Sequence, residues 1–529
     1  MSTAVLAIGI DAASPALLRG WAADGTMPNL AALLARGTSG PVRGIEGFHV
    51  GSTWPSFYTA TSPATHGIHF LRQLEPGTYD LVNPMHRFRE SDPRPFWSLL
   101  SDAGCRLAIL DVPLSRLDRG IAGIQTVEWG GHDHVFGFHA SPEDLTEKVR
   151  ALVGDYPLGS SCDGLRTSSE DYAAFLEALV RGARAKTDLT LALQKERSWD
   201  LLLQVYTEAH CAGHQCWHLH DATHPAYDAS SRPGGEDPLR AVYAAIDSGL
   251  GRIVAEAGAD WILVFSAHGM GPWYGAQFLL AEVLLRLGAA TAPSPAPRRG
   301  SDVARGALGA LWRTLPPALK RALQPVRRRF GPRDVPVPPS LGVDLSSSRC
   351  FVVPNGQTVG GVRVNLRGRE PSGLVEPGAE AERLLGWLAA ELMKVVDERT
   401  GLPAFSRVSR TAELYHGSRL PWLPDLLVHW TDALPTGSRY MARGKGALVR
   451  LSSPAIGVVE GENEYGRTGE HRSDGMFVAV GPGIHHARLH RAVALVDLAP
   501  TLCRFLGHHL RAVDGRAIPE LAGGVGLSS

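Results

Sequence analysis

Short apolar runs recur along the chain, and each run stops at polar residues. Residues 5–10 are apolar, include β-branched side chains and end at Asp11. The same pattern recurs at residues 106–113, 199–206, 260–265, 424–430 and 476–480. Runs of this length with polar boundaries are typical of strands that are buried on both faces of a parallel sheet.

Longer stretches with helical periodicity separate these runs, with apolar residues on one face and charged residues on the other. They cover residues 14–36, 168–197, 237–256, 380–397 and 497–506. Pro28 is expected to interrupt the first of them. The alternation predicts an α/β fold with a doubly wound, mostly parallel central sheet and helices on both of its faces.

The composition changes near residue 287. Residues 292–300 are rich in proline and predict a linker, and residues 304–329 predict basic amphipathic helices. Such helices suit an anionic partner or a membrane surface, but a solvated face of a cap insertion is the more common reason for them. We therefore divide the chain into a first core part (1–286), a basic linker and cap insertion (287–350) and a second core part (351–529).

Charge and cysteine content exclude several classes of protein. The 529 residues contain 53 Lys plus Arg and 53 Asp plus Glu, so no net positive field attracts a nucleic acid polymer. The six cysteines form no C-x-x-C pair, which predicts reduced thiols and a cytoplasmic protein. The apolar N-terminal run has no basic residue before it, so we expect no signal peptide. No apolar run approaches the roughly 18 residues of a transmembrane helix, so no transmembrane segment is expected.

Carboxylates and imidazoles lie next to the predicted strands, at the sheet edge where α/β proteins bind their ligands. These residues are Asp11, Glu208, His210, His214, His268 and His471. Such ligands suit Zn²⁺ or a similar divalent ion, and two ions roughly 4 Å apart would suit phosphoryl chemistry. A structural alternative remains open for each residue alone; Asp11, for example, is equally well placed to cap a helix.

A loop rich in hydroxyl groups, residues 51–68, leads into a predicted helix whose first turn accommodates Pro55. Ser52 or Thr53 then lies among unpaired backbone N–H groups, where phosphate-like anions bind. The common role for such a hydroxyl is a helix N-cap, and the alternative is a nucleophile. A second polar loop, residues 127–134, contains Trp129 and His132, which we expect to line a pocket for a small anionic organic group.

In this order the motifs resemble the type I phosphodiesterase/nucleotide pyrophosphatase family of the alkaline phosphatase superfamily. The resemblance rests on Ile8-Gly9-Ile10-Asp11, Thr53-Trp54-Pro55, His66-Gly67-Ile68, residues 208–214, residues 266–270 and Gly469-Glu470-His471. It implies an alkaline phosphatase-like fold and a metal-dependent hydrolase of phosphodiester, pyrophosphate or related phosphate and sulfate esters. Thr53 would be the covalent nucleophile and a metal ligand, and Ser56, where the family has Asn, would contact the substrate.

The resemblance also implies two metal sites, and the chain departs from the family pattern in both. The implied first site is His210, His214 and His471, with His210 where Asp is usual. Three neutral imidazoles nevertheless hold zinc well.

The implied second site is Asp11, Thr53 and His268, and Ala267 stands there in place of another Asp. We therefore expect one tight Zn²⁺ and a second ion that is weak or absent, with Mn²⁺ or another divalent ion as the alternative. Glu208 is either a substitute ligand or an acceptor that orients a ligating histidine.

Three functions remain open on this fold. The first is the hydrolase, and the second is a transferase that moves a phosphoryl, sulfuryl or related group to an organic acceptor. The third is a non-catalytic protein that binds a metal or ligand on a degraded hydrolase fold. Retention of Asp11, Thr53, His214, His268 and His471 argues against the third. In each case the partner is a small anionic molecule such as a phosphate or sulfate ester.

Overall fold

The computed structural model describes residues 3–87, 92–132, 134–159, 161–293 and 341–521. Its strands are β1 Thr3–Ile10, β2 Thr38–Arg43, β3 Gln73–Leu74, β4 Leu81–Val82, β5 Leu107–Leu110, β6 Gly123–Val127, β7 His139–Ser141, β8 Trp199–Tyr206, β9 Trp261–Ser266, β10 Gly269–Pro272, β11 Cys350–Val353, β12 Val359–Val364, β13 Val396–Asp397, β14 Phe405–Arg410, β15 Leu426–Trp430, β16 Leu448–Ser453, β17 Gly457–Glu462, β18 Gly469–Arg472, β19 Asp474–Val480, β20 Ala487–Arg488 and β21 Val493–Ala494. Its helices are α1 Pro15–Ala23, α2 Pro28–Arg36, α3 Thr53–Thr59, α4 Pro63–His66, α5 Phe96–Asp102, α6 Leu145–Val153, α7 Ser169–Glu196, α8 Glu208–His220, α9 Pro238–Ala257, α10 Leu280–Arg286, α11 Ala379–Leu392, α12 Thr411–Leu414 and α13 Leu498–Phe505. Among the described residues, none of these helices combines the length and the apolar character that a membrane crossing needs.

The central sheet contains ten strands in the order β20-β2-β19-β9-β1-β8-β5-β6-β7, with β21 also paired to β2. Five consecutive strands of this order, β9, β1, β8, β5 and β6, are all parallel. β19 is antiparallel to both β9 and β2, and β7 is antiparallel to β6. The predicted mostly parallel α/β sheet is therefore confirmed.

Helices cover both faces of this sheet. Alternate side chains of a strand point to opposite faces, so a strand such as β1 contributes to two hydrophobic clusters. Leu6 and Ile8 of β1 belong to a hydrophobic cluster that contains residues of α7, α8 and α9. Val5 and Ala7 belong to a second cluster with residues of α3, α5 and α13. A strand with two covered faces needs apolar residues at every position, which explains the continuous apolar run.

Local signals set the helix boundaries close to the predicted ones. α1 ends at Ala23, just before Asp24 and Gly25, and Pro28 opens α2, where its missing N–H is not needed. α7 begins with a capping box, in which the Ser168 side chain accepts from the N–H of Asp171 and the Asp171 carboxylate accepts in return. The first of these helices is therefore split in two, and α7 lies within one residue of the predicted ends.

Residues beyond 341 build a second layer before the chain returns to the central sheet. β11, β12, β15 and β14 form one antiparallel sheet and β13, β16 and β17 another, and most of these strands contribute to a third hydrophobic cluster. β18 then pairs with β10, and β19 enters the central sheet. The predicted boundaries at 287 and 350 stay a prediction, and the basic helices predicted at 304–329 lie outside the described residues.

Several buried imidazoles predict that the folded protein becomes less stable at acid pH. Burial lowers the pKa of His66, His69 and His218 to about 3. In the unfolded chain their pKa returns to about 6.5, so unfolding takes up protons at acid pH. The free energy of unfolding should be highest above about pH 6.5 and fall as the pH drops from there, by up to ~1.4 kcal/mol per pH unit for each such group. Urea unfolding between about pH 7 and pH 5 measures this slope, and a flat profile would contradict the prediction.

Candidate metal centre

The first two imidazoles of the candidate metal centre lie on one helix. α8 begins at Glu208, two residues after β8 ends, so its first turns lie at the carboxyl edge of the sheet. His210 and His214 are four residues apart and therefore project from the same face of the helix. Their ring centroids are 4.4 Å apart.

The third imidazole comes from β18. The antiparallel pairing of β10 with β18 places His471 opposite Met270 and beside α8. The His471 ring centroid lies 4.9 Å from that of His210 and 4.7 Å from that of His214. One ring nitrogen from each of the three histidines lies within 4.8 Å of the other two. We call these three residues the histidine triad.

The histidine triad has the protonation that a zinc site requires. Burial, followed by neighbouring imidazoles and the Arg467 guanidinium, holds the pKa of all three imidazoles well below the usual range, which favours their neutral form. His214 Nδ1 donates to the Gly469 carbonyl at 2.8 Å, which leaves its lone pair on Nε2, 3.2 Å from His471 Nε2. The buried Nδ1 atoms of His210 and His471 have no hydrogen-bond partner in the described part of the chain. This donor set fits a tetrahedral zinc ion with one open position.

Asp11 and His268 lie beside the triad. Asp11 follows β1 and accepts a hydrogen bond of 2.8 Å from Trp54 Nε1. His268 follows β9, and its Nδ1 lies 3.9 Å from Asp11 Oδ1. Its ring stacks on that of His471 with centroids 4.7 Å apart, and burial lowers its pKa to about 3. A cavity of about 310 Å³ is lined by Asp11, His132, His210, His268, Arg467 and His471, among others.

Thr53 lies close to this cavity but does not line it. It is the first residue of α3 and is fully buried, and its Oγ1 donates to the His49 carbonyl at 2.7 Å. Val50 and Trp54, from the same part of the chain, line the cavity instead. In this conformation the Thr53 hydroxyl is engaged with the backbone of the preceding turn.

Three other predicted site residues also have partners outside the cavity. Ser56 Oγ lies 2.9 Å from His66 Nε2, and Trp129 Nε1 donates to the Gly154 carbonyl at 3.0 Å. Glu208 is fully buried, accepts from the Tyr156 hydroxyl at 2.9 Å and lies 3.7 Å from Lys186 Nζ. Their predicted roles in binding substrate or metal stay predictions.

Arg467 is a cavity residue that the sequence-based reasoning missed. Its Nε and Nη2 donate to the two carboxylate oxygens of Asp163 at 2.8 and 2.7 Å. Its Nη1 lies 3.3 Å from His214 Nε2, so a permanent positive charge stands at the triad. The only signal in the sequence is a basic residue four positions before His471, just ahead of the motif Gly469-Glu470-His471.

Comparison with known proteins gives one family match. The family model described as type I phosphodiesterase / nucleotide pyrophosphatase matches residues 5–312. Among curated protein sequences, none matches the chain.

Solved structures with a similar course of the chain include phosphonoacetate hydrolase from Sinorhizobium meliloti 1021, at 14% identity with a TM-score of 0.49 and 94% of each chain covered. Murine ectonucleotide pyrophosphatase/phosphodiesterase 5 is 13% identical with a TM-score of 0.43, and 98% of each chain is covered.

Proposed function

This chain belongs to the type I phosphodiesterase/nucleotide pyrophosphatase family of phosphoester hydrolases, and on that premise we propose that its cavity is the active site of a metal-dependent hydrolase. The substrate is a small anionic phosphodiester, pyrophosphate or related phosphate or sulfate ester. One observation supports the proposal above all others. One ring nitrogen from each member of the histidine triad lies within 4.8 Å of the other two, and two members, His210 and His471, line the cavity that Arg467 also lines.

Zinc is the ion that this donor set suits best, with Mn²⁺ as the alternative. When bound, the ion would polarise a phosphoryl oxygen and lower the pKa of a water molecule. Asp11 and His268 provide only one carboxylate and one imidazole. With Ala267 in place of a further carboxylate, we propose that an ion beside them is weak or absent.

Arg467 is proposed to bind the anionic oxygens of the substrate. Two of its donors are held by Asp163, so the guanidinium approaches the cavity in a set orientation. The lone pair of His214 Nε2 either accepts from Arg467 Nη1 or ligates an ion. When it ligates, the Nη1 donor can turn to the substrate. Trp54 in turn fixes the orientation of the Asp11 carboxylate at the other side of the cavity.

We propose water, rather than Thr53, as the attacking group, because the Thr53 hydroxyl donates to the His49 carbonyl and Thr53 does not line the cavity. Thr53→Ala is therefore expected to keep hydrolysis within about tenfold of the parent. It should lower the free energy of unfolding by about 1 kcal/mol, since the His49 carbonyl loses its donor. Steady-state kinetics and urea unfolding measure both effects, with Thr53→Ser as the control that keeps the hydroxyl. A loss of about 10³-fold with unchanged metal content would instead make Thr53 the covalent nucleophile that the sequence predicts.

A panel of aryl phosphodiesters, phosphomonoesters and sulfate esters tests the proposed function. We expect turnover with water that depends on the added divalent ion. Product that forms only after an organic acceptor is added would indicate the transferase. Metal binding without turnover of any ester would indicate a binding protein.

A further inference from the structure

We propose that His132, Cys162 and His210 form a second metal site, with a thiolate ligand, for a borderline divalent cation such as Zn²⁺. One ligand atom from each of these residues lies within 4.8 Å of the other two. Neither His132 nor Cys162 belongs to the histidine triad. The site rests on the proposed function only through His210, which is common to both groups.

Three separate parts of the chain contribute to this site. His132 lies in the loop after β6, Cys162 precedes α7, and His210 lies in the first turn of α8. The rings of His132 and His210 are stacked, with centroids 3.6 Å apart and an angle of 23° between their planes. Two side-by-side imidazoles and a thiol within reach of both form a compact donor set.

The burial of the three residues suits an exchangeable ion. Cys162 and His210 are 2% and 3% exposed, whereas His132 is only partly buried and lines the cavity. Cys162 and His210 are therefore shielded from competing water. His132 faces the cavity, through which an ion would enter. Three protein ligands leave one position of a tetrahedral ion open.

The chemistry of the donors selects the ion. A thiolate with two imidazoles favours zinc-like ions over Mg²⁺ and Ca²⁺, which prefer oxygen ligands. Binding breaks the S–H bond of Cys162, forms a metal–sulfur bond and releases the proton to solvent. An imidazole has two nitrogens, so His210 can serve this site and the triad together if it also releases its ring proton.

The proposed site of His132, Cys162 and His210 lies on a different side of the triad from Asp11 and His268, which belong to the second site that the family resemblance implies. His132 stacks on His210, whereas His268 stacks on His471. An ion held by His132, Cys162 and His210 therefore does not need the carboxylate that is missing at Ala267. It would add positive charge to the wall of the cavity at which we place the anionic substrate.

Cobalt substitution tests the proposal in the full-length, reduced and metal-free protein. Co²⁺ bound to a thiolate gives an intense near-ultraviolet charge-transfer band that imidazole ligands alone do not give. We expect this band in the parent protein, its loss in Cys162→Ser and a strong reduction in His132→Ala. Cys105→Ser is the matched control, because Cys105 is a buried thiol whose neighbour is His508 on another part of the fold.

A further variant separates this proposal from the proposed function. His471→Ala should lose one equivalent of cobalt and keep the thiolate band, because His471 is not among the ligands of the second site. Zn²⁺ should displace the cobalt and abolish the band, whereas Mg²⁺ should not. If saturating Co²⁺ produces no thiolate band in the parent, or if Cys162→Ser retains it, the second site does not exist. If His471→Ala retains all its metal, the triad is not a metal site. The site at Cys162 is then judged separately, by the presence or absence of the thiolate band.

Discussion

His214→Ala should remove one equivalent of bound zinc and reduce hydrolysis by about 10³-fold or more. His214 is the triad member whose tautomer the structure sets most clearly, because its Nδ1 donates to Gly469 and its Nε2 faces His471. A catalytic ion contributes several kcal/mol to stabilisation of the transition state, and each ~1.4 kcal/mol corresponds to a tenfold change in rate. Elemental analysis and kcat/KM measured on the same preparation give both quantities.

His220→Ala is the matched control for this variant. His220 lies on the same helix, but its Nδ1 pairs with Asp237 at 2.6 Å, and it belongs to neither group of candidate metal ligands. This variant should keep the zinc content of the parent and hydrolyse esters at a similar rate. If His214→Ala retains both its metal and its activity, the triad is not the catalytic metal site.

Arg467→Gln should lower kcat/KM for anionic esters by about 10- to 100-fold. Hydrogen bonds to a charged group contribute about 1.5–3 kcal/mol, and glutamine keeps a polar side chain but removes the charge. Arg467→Lys should recover part of the loss, since it restores the charge without the two-pronged donor geometry. Most of the loss should appear in KM if the guanidinium binds substrate and transition state equally.

Arg439→Gln is the control for a general loss of positive charge. The Arg439 guanidinium pairs with Glu462 and Glu464 at the surface. The Arg439→Gln substitution should therefore change neither kcat nor KM. Equal kinetics for Arg467→Gln and the parent would show that the substrate does not contact this guanidinium. Thermal unfolding of both variants separates a kinetic effect from the loss of the ion pair with Asp163.

The sheet was predictable because its central strands are buried on both faces. The run at residues 199–206 is mostly apolar, with Gln204 as a buried polar exception, and it coincides with β8. The predicted strands at residues 5–10 and 260–265 likewise match β1 and β9 to within two residues. Once these strands were placed, the positions of Asp11, His210 and His268 at one edge of the sheet followed from parallel topology.

The orientation of the side chains was not predictable in the same way, because it depends on partners far away in the sequence. Arg467 is oriented by Asp163, 304 residues earlier, and Glu208 by Tyr156 and Lys186. Thr53 has a local partner, the His49 carbonyl, but a motif does not reveal which way a hydroxyl turns. For Cys162 the sequence predicts only a reduced buried thiol, since its proximity to His132 and His210 arises from tertiary packing.

Removal and restoration of the metal ion test the central claim most directly. The full-length protein is stripped with a chelator, and ester hydrolysis is followed while zinc is added back in known amounts. Hydrolysis should be absent at first, should rise as zinc is added and should not rise in His471→Ala. Full hydrolysis by protein that elemental analysis shows to be free of metal would contradict a metal-dependent hydrolase centred on His210, His214 and His471.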